Sequence, residues 1–148
     1  MVRSEAFDAH AMEYDAWFEH HEVEYALELE AIRALLPVTG TGVEIGSGTG
    51  RFSEPLGITL GIEPSGAMRN IAARRGIRMI AGTAESLPVA DDSCDYALLV
   101  TTVCFLDSVA AAFGEVSRIL KQGGFVILGL IDISSCLLYT YTSPRDPL

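Results

Sequence analysis

Lysine is almost absent from this chain: Lys121 is the only one in 148 residues, against 20 acidic residues and a formal net charge of -10. The phosphate-neutralising cations that nucleic-acid binding needs are missing, so no nucleic-acid partner is expected. Cysteine is scarce as well. Cys94, Cys104 and Cys136 are odd in number and show no C-x-x-C spacing. They read as reduced thiols of a cytoplasmic protein, not as a disulfide frame or a zinc site. No apolar run reaches the roughly 20 residues of a membrane-spanning helix. The opening "MVRSEAFDAHAMEYD" is polar and acidic, unlike a signal peptide.

Apolar residues make up 49% of the chain, enough for one domain with a real core. Residues 22–36 have helical spacing, with Val23, Ala26, Leu27, Ala31, Ala34 and Leu35 as the expected inner face. The preceding "AMEYDAWFEHH" reads as a shorter, aromatic helix. Short apolar strands are expected at "GVEIG" (42–46), "ITLGIE" (58–63), "IRMIAG" (77–82), "DYALLV" (95–100) and "FVILGLI" (125–131). Between them lie a helical turn at 51–56 and a helix at 65–76, with Ser65 as N-cap. A further helix spans 107–120, capped by Asp107 or Ser108 and facing inward through Ala112, Phe113, Val116, Ile119 and Leu120; "KQGG" is the turn after it. Strands apolar throughout, alternating with helices, indicate an α/β fold with a doubly wound parallel sheet.

In such a sheet ligands bind at the carboxyl ends of the strands, so the first strand–helix turn is the place to look. There "VEIGSGTGRF" (43–52) sets Gly46, Gly48 and Gly50 in alternation, leaving backbone bare for close approach. A tight turn without a ligand is the plainer alternative. The second strand ends in Glu63, whose carboxylate would lie beside this turn and suits a ribose diol; taken alone, a solvated loop acid is the alternative. A dinucleotide fingerprint is G-x-G-x-x-G, but here the third glycine falls one place early and Arg51 holds the fingerprint position. Glu44 leads the run and would repel a pyrophosphate while suiting a cationic group. NAD chemistry is therefore disfavoured.

The pattern resembles the E/D-x-G-x-G-x-G motif of class I S-adenosylmethionine-dependent methyltransferases. "GIEPS", "AGTAESLPVADDSCDYALLV" and "EVSRILKQGG" resemble the family's next motifs in order and spacing, over roughly residues 10–134. The likeness falls nearest the group that includes ubiquinone- and menaquinone-biosynthesis methyltransferases. It implies a Rossmann-like sheet of order 3-2-1-4-5, S-adenosyl-L-methionine as cofactor, and methyl transfer to a small-molecule acceptor. A cofactor- or partner-binding fragment without turnover is the alternative.

Carried over by position, the resemblance assigns Glu44 to the methionine amino group. Gly46, Ser47, Gly48 and Gly50 form the turn against the cofactor, and Glu63 takes the ribose hydroxyls with Pro64, Ser65 and Met68 nearby. Ala84 and Glu85 would bracket the adenine, with Thr83 where the family often has an acid. Thr101 would face the methionine end. Residues 5–36 are expected as a helical lid with Tyr14 near the cofactor carboxylate, helped by Trp17 and Phe18; plain packing of the arm on the core is the other reading. His20 and His21 are a candidate base, but as adjacent histidines on an acidic helix they read better as solvated. No residue declares itself catalytic, and no metal is required. The acceptor is expected near "TTVCFLD" (101–107), with Phe105 either lining its pocket or part of the core and Cys104 a small buried thiol.

The likeness stops near Ser134. The family's strands 6 and 7 have no counterpart, which would leave the fifth strand an exposed edge open to self-association. Residues 135–148 read as a tail foreign to the family, resembling translated sequencing-adapter DNA; a divergent natural end is the alternative.

Overall fold

The computed structural model describes residues 2–132 and 134. The expectation about 135–148 lies outside them. Two helices, α1 (Val2–His20) and α2 (Glu22–Leu35), precede β1 (Gly42–Ile45). Then follow α3 (Ser53–Leu56), β2 (Leu60–Ile62), α4 (Gly66–Arg74), β3 (Arg78–Ile80), β4 (Cys94–Val100), a 3-10 turn (Val103–Phe105), α5 (Val109–Ile119) and β5 (Leu120–Gly129). The five strands pair in parallel in the order β3-β2-β1-β4-β5, as the motif order implied.

Alternation along the strands feeds two cores. Val43, Ile45, Ile62, Ala97 and Leu99 meet Ala112, Val116 and Ile119 of α5 on one face. On the other, Tyr96, Leu98 and Ile127 meet Phe18 of α1, Ile32 of α2, and Phe52. Such burial stabilises by about 2 kcal/mol per large apolar side chain. Both N-caps expected for the later helices form: Ser65 Oγ accepts from Met68 N at 3.2 Å and Ser108 Oγ from Ala111 N at 3.2 Å.

Three local expectations are corrected. First, α2 turns the opposite way: Val23, Leu27 and Leu35 are exposed, and Tyr25, Leu29, Ile32 and Leu36 pack inward. The helix carries two apolar stripes, and the one with the larger side chains covers the sheet, while the alanine-rich one faces out. Second, "KQGG" belongs to β5. Pairing steps from Leu120↔Cys94 to Phe125↔Tyr96, so five residues advance on β5 for two on β4, and the surplus bulges out with Gly123 at φ 82°. Third, Cys104 is exposed, not buried; it sits on the 3-10 turn beyond β4, with Sγ 3.5 Å from Thr101 O.

Candidate cofactor site

The site begins in β1, where alternation sends Val43 and Ile45 to the α5 face and Glu44 to the other. Glu44 is 1% exposed. Its carboxylate accepts from Ser53 Oγ on α3, a contact nothing in the motif announced. Burial pushes the Glu44 carboxyl up to about 8, and the neighbouring charge of Glu63 adds to the rise.

The glycine turn follows. Gly46, Gly48 and Gly50 all lie at positive φ, 71°, 54° and 82°. They serve different ends. A Cβ on Gly46 would stand 2.5 Å from Thr102 Oγ1, and one on Gly50 2.3 Å from Ile77 Cδ1, so the protein's own packing demands those two. At Gly48 a Cβ would meet Tyr14 Cε1 at 3.4 Å and Met68 Sδ at 3.7 Å. Gly48 therefore lies under α1, with the Tyr14 ring across it. Ser47, buried, closes the turn by accepting from Gly50 N at 2.9 Å.

Glu63 follows β2 directly and is 5% exposed. Its Oε2 accepts from Gly48 N at 3.0 Å and its Oε1 from Ser65 N at 2.9 Å. Burial raises its carboxyl despite those two donors. Pro64 and Glu63 turn their carbonyls to Arg69 Nη1, both at 2.7 Å. The two acids thus occupy one rim, joined through Gly48 and paired strands.

Thr101 sits just past β4 at φ 53°, a conformation costly for a β-branched residue and found where a site needs it. Its N–H donates to Gly129 O at 2.8 Å. The neighbouring Thr102 hydroxyl, shared between Ile45 O and Val100 O, fills the space that Gly46 leaves. Ala84 is buried in the core beneath the 83–86 turn. Glu85 turns its carboxylate to the N–H groups of Asp107, at 2.8 Å, and Ser108, tying that turn to α5.

Over this rim lies α1. Burial, joined by the field of Glu44, Glu63, Glu28 and Asp15, raises the Tyr14 hydroxyl well above the usual range. Phe18 is core, 1% exposed, and Trp17 stacks on His21 at 4.1 Å. The Nδ1 groups of His20 and His21 donate to the carbonyls of Ala16 and Trp17, one turn back along the chain. The arm is pinned by Asp15, which accepts from Arg51 Nε at 2.9 Å and Nη2 at 2.8 Å, and from Arg75 Nη2 at 3.0 Å. The residue at the failed fingerprint position, Arg51, therefore anchors α1. Sequence reasoning missed Asp15, Arg75, Ser53 and Thr102; only the arginine straight after the glycines offered a signal. It missed Glu28 too, on the inner side of α2. Glu28 Oε2 is buried with no hydrogen-bond partner among the described residues, and burial lifts its carboxyl to about 7.

Bare backbone at Gly48 beside the buried carboxylates of Glu63 and Glu44 is an arrangement that could hold an adenosine carrying positive charge. A methyltransferase domain model matches residues 43–128. The chain belongs to the class I S-adenosylmethionine-dependent methyltransferases. It is 49% identical to an S-adenosylmethionine-dependent methyltransferase of Thermotoga maritima, a possible histamine N-methyltransferase. That crystal structure superposes with a TM-score of 0.87 over 93% of this chain and 66% of its own. The uncharacterized protein MJ1123 of Methanocaldococcus jannaschii is 42% identical over 95% of this chain and 68% of its own length. The demethylmenaquinone methyltransferase of Roseiflexus castenholzii is 31% identical, over 76% and 47%. This methyltransferase chain thus spans between about half and two thirds of these relatives. Among its described residues no helix is long and apolar enough to cross a membrane.

Proposed function

We propose that this chain holds S-adenosylmethionine at the carboxyl ends of β1, β2 and β4 and transfers its methyl group to a small-molecule acceptor docked against residues 101–107. The observation that carries the reading is the grip of Glu63 on Gly48 N and Ser65 N. Two backbone donors fix one carboxylate beside the bare turn, leaving its remaining lone pairs for two hydroxyls. When bound, the cofactor supplies a methyl group already activated on a sulfonium sulfur.

The chain's own residues then orient and enclose. Glu44, steadied by Ser53, takes the ammonium end. Tyr14 covers Gly48 and keeps water from the turn. Thr101 sets the cleft's wall at the end of β4, and Phe105 lines the acceptor side. Alignment of the acceptor in line with the methyl–sulfur bond is the protein's main contribution. The names borne by the Thermotoga and Roseiflexus relatives, for histamine and demethylmenaquinone, support a small acceptor.

Calorimetry with S-adenosylhomocysteine on the wild type and on Glu63→Ala tests the site, and a methyl-release assay tests turnover. Equal affinity in both proteins overturns the ribose assignment. Binding without methyl release against any small acceptor would leave a cofactor-holding domain.

A further inference from the structure

The front and rear of α1 are held in unlike ways. His10, at φ -121° and ψ 20°, breaks helical geometry between them. Behind it, Asp15 is clamped by two arginines and Phe18 is sunk in the core. Ahead of it, attachment is shallow and spans the cleft. On the β2 side, Asp8 Oδ1 accepts from Ser65 Oγ at 2.6 Å and from Ala67 N at 3.0 Å. On the β4 side, the Phe7 ring meets Phe105 edge-on, centroids 5.2 Å apart, and meets Tyr14 at 6.4 Å. Between those supports lies the glycine turn. Ser65 serves both sides of the latch: its hydroxyl reaches Asp8 and its N–H donates to Glu63 Oε1.

We propose that residues 2–9 are the moving half of the lid, that His10 is its hinge, and that the Asp8 latch on Ser65 and Ala67 governs how fast the cofactor enters and leaves. The inference rests on the cofactor reading above. Lifting the front half breaks the two Asp8 hydrogen bonds and the two Phe7 ring contacts, whereas moving the rear would open the aromatic core and strand Asp15. Cofactor passage therefore takes the front path. Because Ser65 also donates to Glu63, the closed latch holds that carboxylate in place, making Asp8 a positioning residue.

The test has two arms. Hydrogen–deuterium exchange on the unliganded protein reads the hinge: Asp8→Ala should speed exchange in residues 2–9 and leave 11–20 unchanged. Stopped-flow binding of S-adenosylhomocysteine, followed through Trp17, reads the latch. Asp8→Ala should raise the association rate constant roughly tenfold, the loss of about one charge-assisted hydrogen bond, and the dissociation rate constant by more, because Glu63 loses its brace through Ser65. Asp8→Asn, which keeps an acceptor oxygen, should recover most of the wild-type rates at an unchanged melting temperature. Wild-type rates in Asp8→Ala, or exchange rising evenly through residues 2–20, would overturn the proposal. Absence of S-adenosylhomocysteine binding by the wild type would instead strike the cofactor reading, and the gating claim with it, leaving the exchange arm to decide the hinge alone.

Discussion

Gly48 N–H donates to Glu63 Oε2 at 3.0 Å, so the turn after β1 and the end of β2 are one unit. Glu63→Ala removes the acceptor of two buried N–H groups, at a cost of about 1–3 kcal/mol. The protein should remain folded by circular dichroism while S-adenosylhomocysteine binds at least roughly tenfold more weakly. Glu63→Gln keeps an oxygen for one N–H and should fall between. Loss of fold with affinity intact in the folded fraction would contradict this.

Buried Glu44 and half-buried Glu28 predict a pH signature. Glu44 and Glu28 have carboxyls raised from 4.5 to about 8 and about 7 by burial. Each binds its proton more tightly folded than unfolded. Their contribution to stability is therefore full below about pH 4.5 and is lost as pH rises through 7 to 8. Chemical denaturation from pH 5 to 8.5 should show this fall in the unliganded protein. Glu28→Gln should flatten the fall below about pH 7, leave the part between 7 and 8 to Glu44, and stabilise the protein at pH 8.

Cofactor affinity should run the opposite way. A cation placed beside Glu44 favours the ionised form, so binding expels a proton at neutral pH and tightens as pH rises toward 8. Calorimetry in buffers of different ionisation enthalpy measures that proton directly. Glu44→Gln should abolish the release. A constant affinity across this range in the wild type would remove Glu44 from the ammonium subsite.

Much of this was legible in the sequence because the fold writes it locally. Apolar strands ending at Gly46 and Glu63 carry both topology and site in adjacent residues, and caps such as Ser65 follow from hydrogen bonding within a turn. What failed was longer in range or evenly balanced. The face of α2 was undecided by period, since two stripes compete and only the sheet beneath chooses. Asp15 with Arg51, 36 residues apart, has no local signature. The exposure of Cys104 depends on where β4 ends, not on the residue type.

The glycines should separate packing from binding. Gly46→Ala drives a methyl into Thr102, whose short side chain is bonded to strand carbonyls and cannot swing clear. Overpacking and a positive φ together should cost about 2–4 kcal/mol. At Gly48 the methyl meets only ordinary contact, 3.4 Å from the Tyr14 ring, so the φ penalty of about 1–2 kcal/mol dominates. Gly46→Ala should therefore lower the melting temperature more, and adding Thr102→Ala should restore part of it. Gly48→Ala should lose cofactor affinity out of proportion to its stability, because its new methyl stands where the ligand must come close. Equal stability losses in the two variants, with affinity following stability, would show that the turn is built for packing alone.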